Sequence, residues 1–184
     1  MSAWIQTFSG LQFFPEAPRA QDVRIKDIAV SLSRTCRFRG HTLFFYSVAE
    51  HSILVSRLVH SDLRLAALLH DGAEAYMADL PAPIKRLPEM APFRRMESRI
   101  LHAIYSRYDV MYSHAEATIR EADLAMLATE RDTVMAKAPV DWGLTVPAAE
   151  VEIRGWTPEQ ATDEFLGLFG RLMVARNRPD LPVD

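Results

Sequence analysis

The chain carries a single cysteine, Cys36, so it can close no internal disulfide and build no cysteine-based zinc site. A lone thiol fits a reducing compartment. An excess of positive charge is also missing: 21 Lys and Arg stand against 24 Asp and Glu, a formal net charge of −3. Proteins that grip the DNA or RNA backbone usually need a strong basic excess, so no nucleic-acid polymer is expected as a partner. Long apolar runs are absent, none approaching the roughly 18 residues that a membrane-spanning helix needs. No basic stretch followed by an apolar one opens the chain. The expectation is a cytoplasmic protein with no membrane partner. Internal repeats, low-complexity segments and alternating strands joined by a hairpin turn are not visible either.

What is present is ordinary globular composition, 49% hydrophobic and 24% charged over 184 residues. That is one domain, 1–184, with enough apolar material for a real core. Residues 1–22 hold Gly10, Pro15 and Pro18 and no helical period. Trp4, Phe8, Phe13 and Phe14 within them predict an irregular segment that packs against the body.

Beyond residue 22 the helical period dominates. Ser47 and Glu50 have capping-box spacing, and Val48, His51, Leu54, Val55 and Leu58 then line one helix face. The run from Ser61 or Asp62 to about Tyr76 is apolar almost all round, which predicts a central helix covered on every side. A third helix is expected over 93–108. Ser113 with Glu116 opens another through about Lys137, with Ile119, Ala122, Asp123, Met126 and Leu127 inward. After a loop over 139–156, Thr157-Pro158-Glu159-Gln160 caps a last helix with Phe165, Leu166, Phe169, Leu172 and Met173 on its apolar face. The fold class is all-α, a compact helical bundle.

Polar residues at core positions carry the functional signal. His51 sits mid-face, His70 and Asp71 lie in the apolar run, and Asp123 is on an inward stripe. A buried, unpaired carboxylate costs several kcal/mol, so each needs a cation or donors. One divalent ion touching all four residues would satisfy both carboxylates and both imidazoles; nitrogen and oxygen donors together suit Zn, Mn, Fe or Co. Glu74, four residues after His70, falls on the same side of a helix. Small neighbours, Ala66, Ala67, Gly72 and Ala73, let other helices come close. The plainer alternative is that the histidines are satisfied core residues and Asp123 an ion-pair partner of Arg120 or Arg131.

The stretches Tyr46-Ser47-Val48-Ala49-Glu50-His51-Ser52, Leu68-Leu69-His70-Asp71-Gly72-Ala73-Glu74 and Glu121-Ala122-Asp123 resemble the H…HD…D signature of HD-domain phosphohydrolases. Ala78-Asp79-Leu80-Pro81-Ala82-Pro83-Ile84-Lys85 narrows the resemblance to bacterial 5′-deoxynucleotidases and phage dATP triphosphohydrolases. It runs from about Asp27 to Arg131. The resemblance implies an HD-domain bundle with a metal site between central helices, held by His51, His70, Asp71 and Asp123. Glu74 and Asp79 match the family's acidic pair near the attacking water, and Lys85 a phosphate-side cation. Arg37 with Phe38 corresponds to its Arg-aromatic pair, with Arg34 and Arg39 as alternatives.

The expected activity is hydrolysis of a nucleotide's 5′-phosphate ester. A deoxynucleoside monophosphate would release phosphate, and a triphosphate would release triphosphate. A triphosphate would bring additional Mg and draw on Arg86, Arg94 and Arg95. The alternatives are hydrolysis of a signalling nucleotide, against which the Asp-Leu-Pro segment counts, and a non-catalytic nucleotide-binding HD domain. A homo-oligomer is expected.

Overall fold

The computed structural model describes residues 3–111 and 116–177, and among them the fold is an all-α bundle. Helix α2 (Val48–Arg57) is its hub: every residue from Val48 to Ser56 is buried. Around it pack α1 (Ile25–Arg34), α3 (Arg64–Leu68), α6 (Glu116–Thr133) and α7 (Pro158–Asn177). Two apolar clusters meet on α2. Val48, Ala49 and Ile53 join Ile28, Leu32, Leu68, Ile104 and Phe165. Leu54 and Val55 join Ala66, Ala67, Ile119 and Met126. Full burial of such a Val, Leu or Ile stabilises by about 1.5–3 kcal/mol. The polar residues of α2 are therefore locked into a packed helix.

The long central helix expected to reach about Tyr76 does not form. Helix α3 stops at Leu68, His70 and Asp71 follow its C-cap Leu69, and Gly72–Tyr76 is a separate 3-10 turn. A run that is apolar on all sides reports burial, and burial does not require an unbroken helix. Gly72 opens the 3-10 turn. A Cβ there would sit 3.1 Å from Ile104 Cδ1 on α5 (Ala91–Arg107), so the turn packs closely on α5 and a larger residue would oblige the Ile104 side chain to shift. The Ala67 carbonyl at the helix end accepts the His70 backbone N–H at 3.4 Å and lies 2.7 Å from His70 Nδ1, which fixes the ring.

A hairpin that the sequence did not reveal is also present: β1 (Ile5–Gln6) pairs antiparallel with β2 (Gln12–Phe13), turning through Gly10 at φ 77°. Two-residue strands are too short for alternation to register. The N-terminal segment does pack on the body, through Phe13, which is wholly buried and stacked on Tyr76 at 3.9 Å. Trp4 and Phe8 stay exposed, with Lys26 and Arg34 over the Phe8 ring.

The other elements fall near their expected places. Ser113 lies outside the described residues, and α6 ends at Thr133 instead of Lys137. Its buried stripe includes Ile119, Ala122 and Met126 but runs on to Ala128, Thr129 and Glu130, while Leu127 is half-buried. Helix α7 begins with a reciprocal cap: Gln160 N donates to Thr157 Oγ1 at 3.3 Å and Thr157 N to Gln160 Oε1 at 3.0 Å. Helix α4 (Ala82–Lys85) is a single turn opening on the two prolines. Among the described residues, no helix is long and apolar enough to cross a membrane.

Candidate active site

Three elements bring the expected ligand residues together. His51 projects from α2, His70 and Asp71 from the break after α3, and Asp123 from α6. Donor atoms of His51, His70 and Asp71 lie within 4.8 Å of one another. Asp71 bridges the imidazoles, 3.6 Å from His51 Nε2 and 3.3 Å from His70 Nε2. Asp123 Oδ1 approaches His51 Nε2 to 3.1 Å without the alignment of a hydrogen bond. It does not pair with Arg131, whose guanidinium holds Asp132 at 2.7 Å.

Each imidazole is pinned by its other nitrogen. His51 Nδ1 lies 2.6 Å from Glu130 Oε1, as His70 Nδ1 does from Ala67 O at 2.7 Å. Both Nε2 atoms are buried and have no hydrogen-bond partner among the described residues. Two orphaned nitrogens facing two carboxylates form a donor set suited to a borderline divalent cation, and oriented Nδ1–H groups are the usual support for such ligands. The residues present fit a metal.

Electrostatics separates the carboxyls of the site. Asp123 is only partly buried, its side chain 38% exposed, and His51, His70 and Arg37 hold its carboxyl well below the usual range. Burial opposes charge on Glu130, where Arg37 and His51 prevail and lower it to about 2. Glu74 is the opposite case: burial, then Asp71 and Asp79, push it well above the ordinary value, with Arg37 and Lys85 only partly offsetting them. Asp79 is raised mainly by burial. Burial and Arg37 disfavour a charged His51, yet Glu130 and Asp123 outweigh them and raise it to about 9. A cation binding at Nε2 near neutral pH would thus release a proton.

Arg37 is the arginine of its cluster that reaches the site. It donates to Glu130 Oε2 at 3.0 Å and lies 3.8 Å from Asp71, while Arg34 and Arg39 are exposed. Its guanidinium also sits 5.3 Å from the Phe38 ring centroid. Phe38 and Arg39 both have left-handed φ, 52° and 56°, a conformation that costs of order 1–3 kcal/mol per non-glycine residue and gathers at functional sites. Trp142, from the loop before α7, approaches the Phe38 ring at 6.1 Å. Lys85 Nζ contacts Glu97 at 2.5 Å and lies 3.9 Å from Glu74. Arg94 is occupied by the Lys85 and Leu87 carbonyls, and Arg86 and Arg95 are exposed.

No model of a known protein family matches the chain. Over 177 residues it is 39% identical to the uncharacterized protein YfdR of Escherichia coli, covering 95% of this chain and 98% of that one. The chain belongs to the YfdR family. An uncharacterized protein of Rhodobacter capsulatus is 31% identical over 144 residues, 72% of this chain and 73% of the relative.

In this YfdR-family chain, sequence reasoning missed Glu130, Glu97 and Trp142. Glu130 stands seven residues after Asp123, two helical turns along the same face, so extending the inward stripe would have found it. Glu97 and Trp142 left no such signal. Glu50 was assigned to a capping box but fills only half of it. Ser47 Oγ accepts from Glu50 N at 3.1 Å, while the wholly buried Glu50 carboxylate accepts from Arg154 N, Gly155 N and Trp156 N at 2.7 to 3.1 Å. It anchors the loop that enters α7 to the residue preceding His51. Glu50→Ala would strand three donors, each costing about 1–3 kcal/mol if left unsatisfied. Thermal unfolding is expected to show a fall of several degrees or more, and an unchanged midpoint would contradict the clamp.

Proposed function

We propose that this protein is a metal-dependent phosphohydrolase acting on the 5′-phosphate ester of a nucleotide. Attack at the phosphorus next to the 5′ oxygen would release phosphate from a deoxynucleoside monophosphate or triphosphate from a dNTP. The observation that carries the reading is the pair of buried, unpartnered Nε2 atoms of His51 and His70, which face Asp71 and Asp123. The resemblance to HD-domain phosphohydrolases supplies the reaction class. His51, His70, Asp71 and Asp123 would hold the ion. When bound, a divalent ion supplies a lowered pKa for water, from 15.7 toward about 7, and polarisation of a phosphoryl oxygen.

The remaining work falls to the chain's own groups. Glu74, whose carboxyl keeps its proton at higher pH than an ordinary glutamate, is suited to give that proton to the departing 5′ oxygen. Asp79, less strongly raised, is suited to orient water or take its proton. Lys85 and Arg37 balance phosphate charge, Arg37 in the orientation that Glu130 and Asp71 impose. Phe38, with Trp142 beside it, offers the base an aromatic surface.

Charge-assisted phosphate contacts are worth about 1.5–3 kcal/mol. Lys85→Ala is therefore expected to lower kcat/KM by roughly 10- to 150-fold, and Phe38→Ala to weaken a nucleotide more than an aryl phosphate. The assay compares a deoxynucleotide with a simple aryl phosphate in wild type and both variants. Equal turnover of the two compounds, indifferent to either substitution, would rule out a nucleotide pocket.

A further inference from the structure

Glu130 is a charged side chain with no exposed surface, and such a group persists only if its neighbours compensate it. Three do. His51 Nδ1 lies 2.6 Å and the Tyr46 hydroxyl 2.9 Å from Oε1, while Arg37 donates to Oε2 at 3.0 Å. These partners come from α2, from the residue before its cap, and from the turn that carries Phe38. One carboxylate on α6 thus touches both an expected metal ligand and the expected phosphate-binding arginine.

We propose that Glu130 is a positioning residue that sets the metal affinity of the site by fixing His51 with its proton on Nδ1 and steering Arg37 toward Asp71. An acceptor with no proton of its own obliges the imidazole to present N–H on that side. The Nε2 lone pair is then directed to the face shared with His70 Nε2, Asp71 and Asp123. The negative charge also makes His51 a stronger donor to a cation. With Oε2 engaged, the Arg37 guanidinium is turned so that NH1 faces Asp71 at 3.8 Å. Without Glu130, Arg37 would lose its nearest counter-charge and turn more of its positive charge on the ligands, which disfavours a metal ion. His70 has only a neutral carbonyl behind it, so His51 should be the more strongly conditioned of the two.

The proposal rests on the metal-site reading, and the experiment separates the two. Zinc affinity is measured by competition titration on wild type, Glu130→Gln and Tyr46→Phe, with the metal-free folds compared by circular dichroism. Wild type should bind one zinc, and Glu130→Gln should bind about 10- to 100-fold more weakly, the range for outer-shell partners. Tyr46→Phe disturbs the same buried network but leaves the carboxylate on His51 and Arg37, and should stay near wild type. A nitrogen–proton correlation spectrum of zinc-loaded wild type should show His51 protonated at Nδ1, a readout that stands even if Glu130→Gln fails to fold. Equal zinc affinity in Glu130→Gln or parallel weakening in Tyr46→Phe would overturn the proposal while leaving the metal site standing, and a proton on Nε2 would overturn it and remove His51 from the ligands as well. A wild type that binds no zinc would overturn both.

Discussion

Asp71→Ala is expected to abolish metal retention and to lower turnover of the preferred deoxynucleotide by about 10³-fold or more. Asp71 stands between the two orphaned imidazole nitrogens, 3.6 Å from one and 3.3 Å from the other, and 3.8 Å from Arg37. Its removal deletes an anionic donor and leaves Arg37 less compensated beside the remaining ligands. The loss of several kcal/mol of transition-state charge stabilisation that a metal supplies corresponds to that factor or more. The check is metal content after gel filtration, run beside phosphate or triphosphate release. Full metal occupancy with full activity would remove Asp71 from the site.

Glu74→Gln should lower kcat by about 10²- to 10⁴-fold, the usual contribution of a positioned acid or base, while leaving metal content near wild type. Glu74 differs from the ligand carboxylates because burial and the anions of Asp71 and Asp79 raise its pKa. A proton donor with a raised pKa gives a rate that falls as pH rises through that pKa, and the glutamine variant should lose this limb. The stability consequence has a defined sign. The folded state holds a proton on Glu74 that the unfolded chain gives up near pH 4.5, so this group's contribution to stability is fully present below that value and is lost as pH rises through the folded pKa. Glu74→Gln removes the burden, so the metal-free variant should melt higher than wild type at pH 8. Metal lost in step with activity would make Glu74 a ligand or a support for one.

The apolar period made the all-α class, the α2 face and the start of α7 legible. Helix ends were legible where a cap marks them, as at Ser47 and Thr157, and illegible after Leu68. There the chain stays buried while its backbone changes course, and no cap residue marks the change. The four expected ligand residues could be named because His and Asp stand out in apolar surroundings, and the fold brings His51, His70 and Asp71 into one cluster with Asp123 beside His51. Arg37 stood apart from Arg34 and Arg39 only once the turn through Phe38 aimed it inward. Glu130 lay just past the end of the stripe read on α6, whereas Glu97 and Trp142 left no local trace. Those two matter through partners on other elements, Trp142 beside Phe38 and Glu97 on Lys85, and no helical spacing encodes such a contact.

The most direct test of the central claim is hydrolysis of deoxynucleoside mono- and triphosphates by the purified wild-type protein, stripped with a chelator and then reloaded with Zn, Mn, Co or Fe. The stripped protein should release neither phosphate nor triphosphate, and turnover should return with at least one of these ions. Absence of hydrolysis with every ion and every nucleotide, or turnover undiminished by the chelator, would contradict the claim.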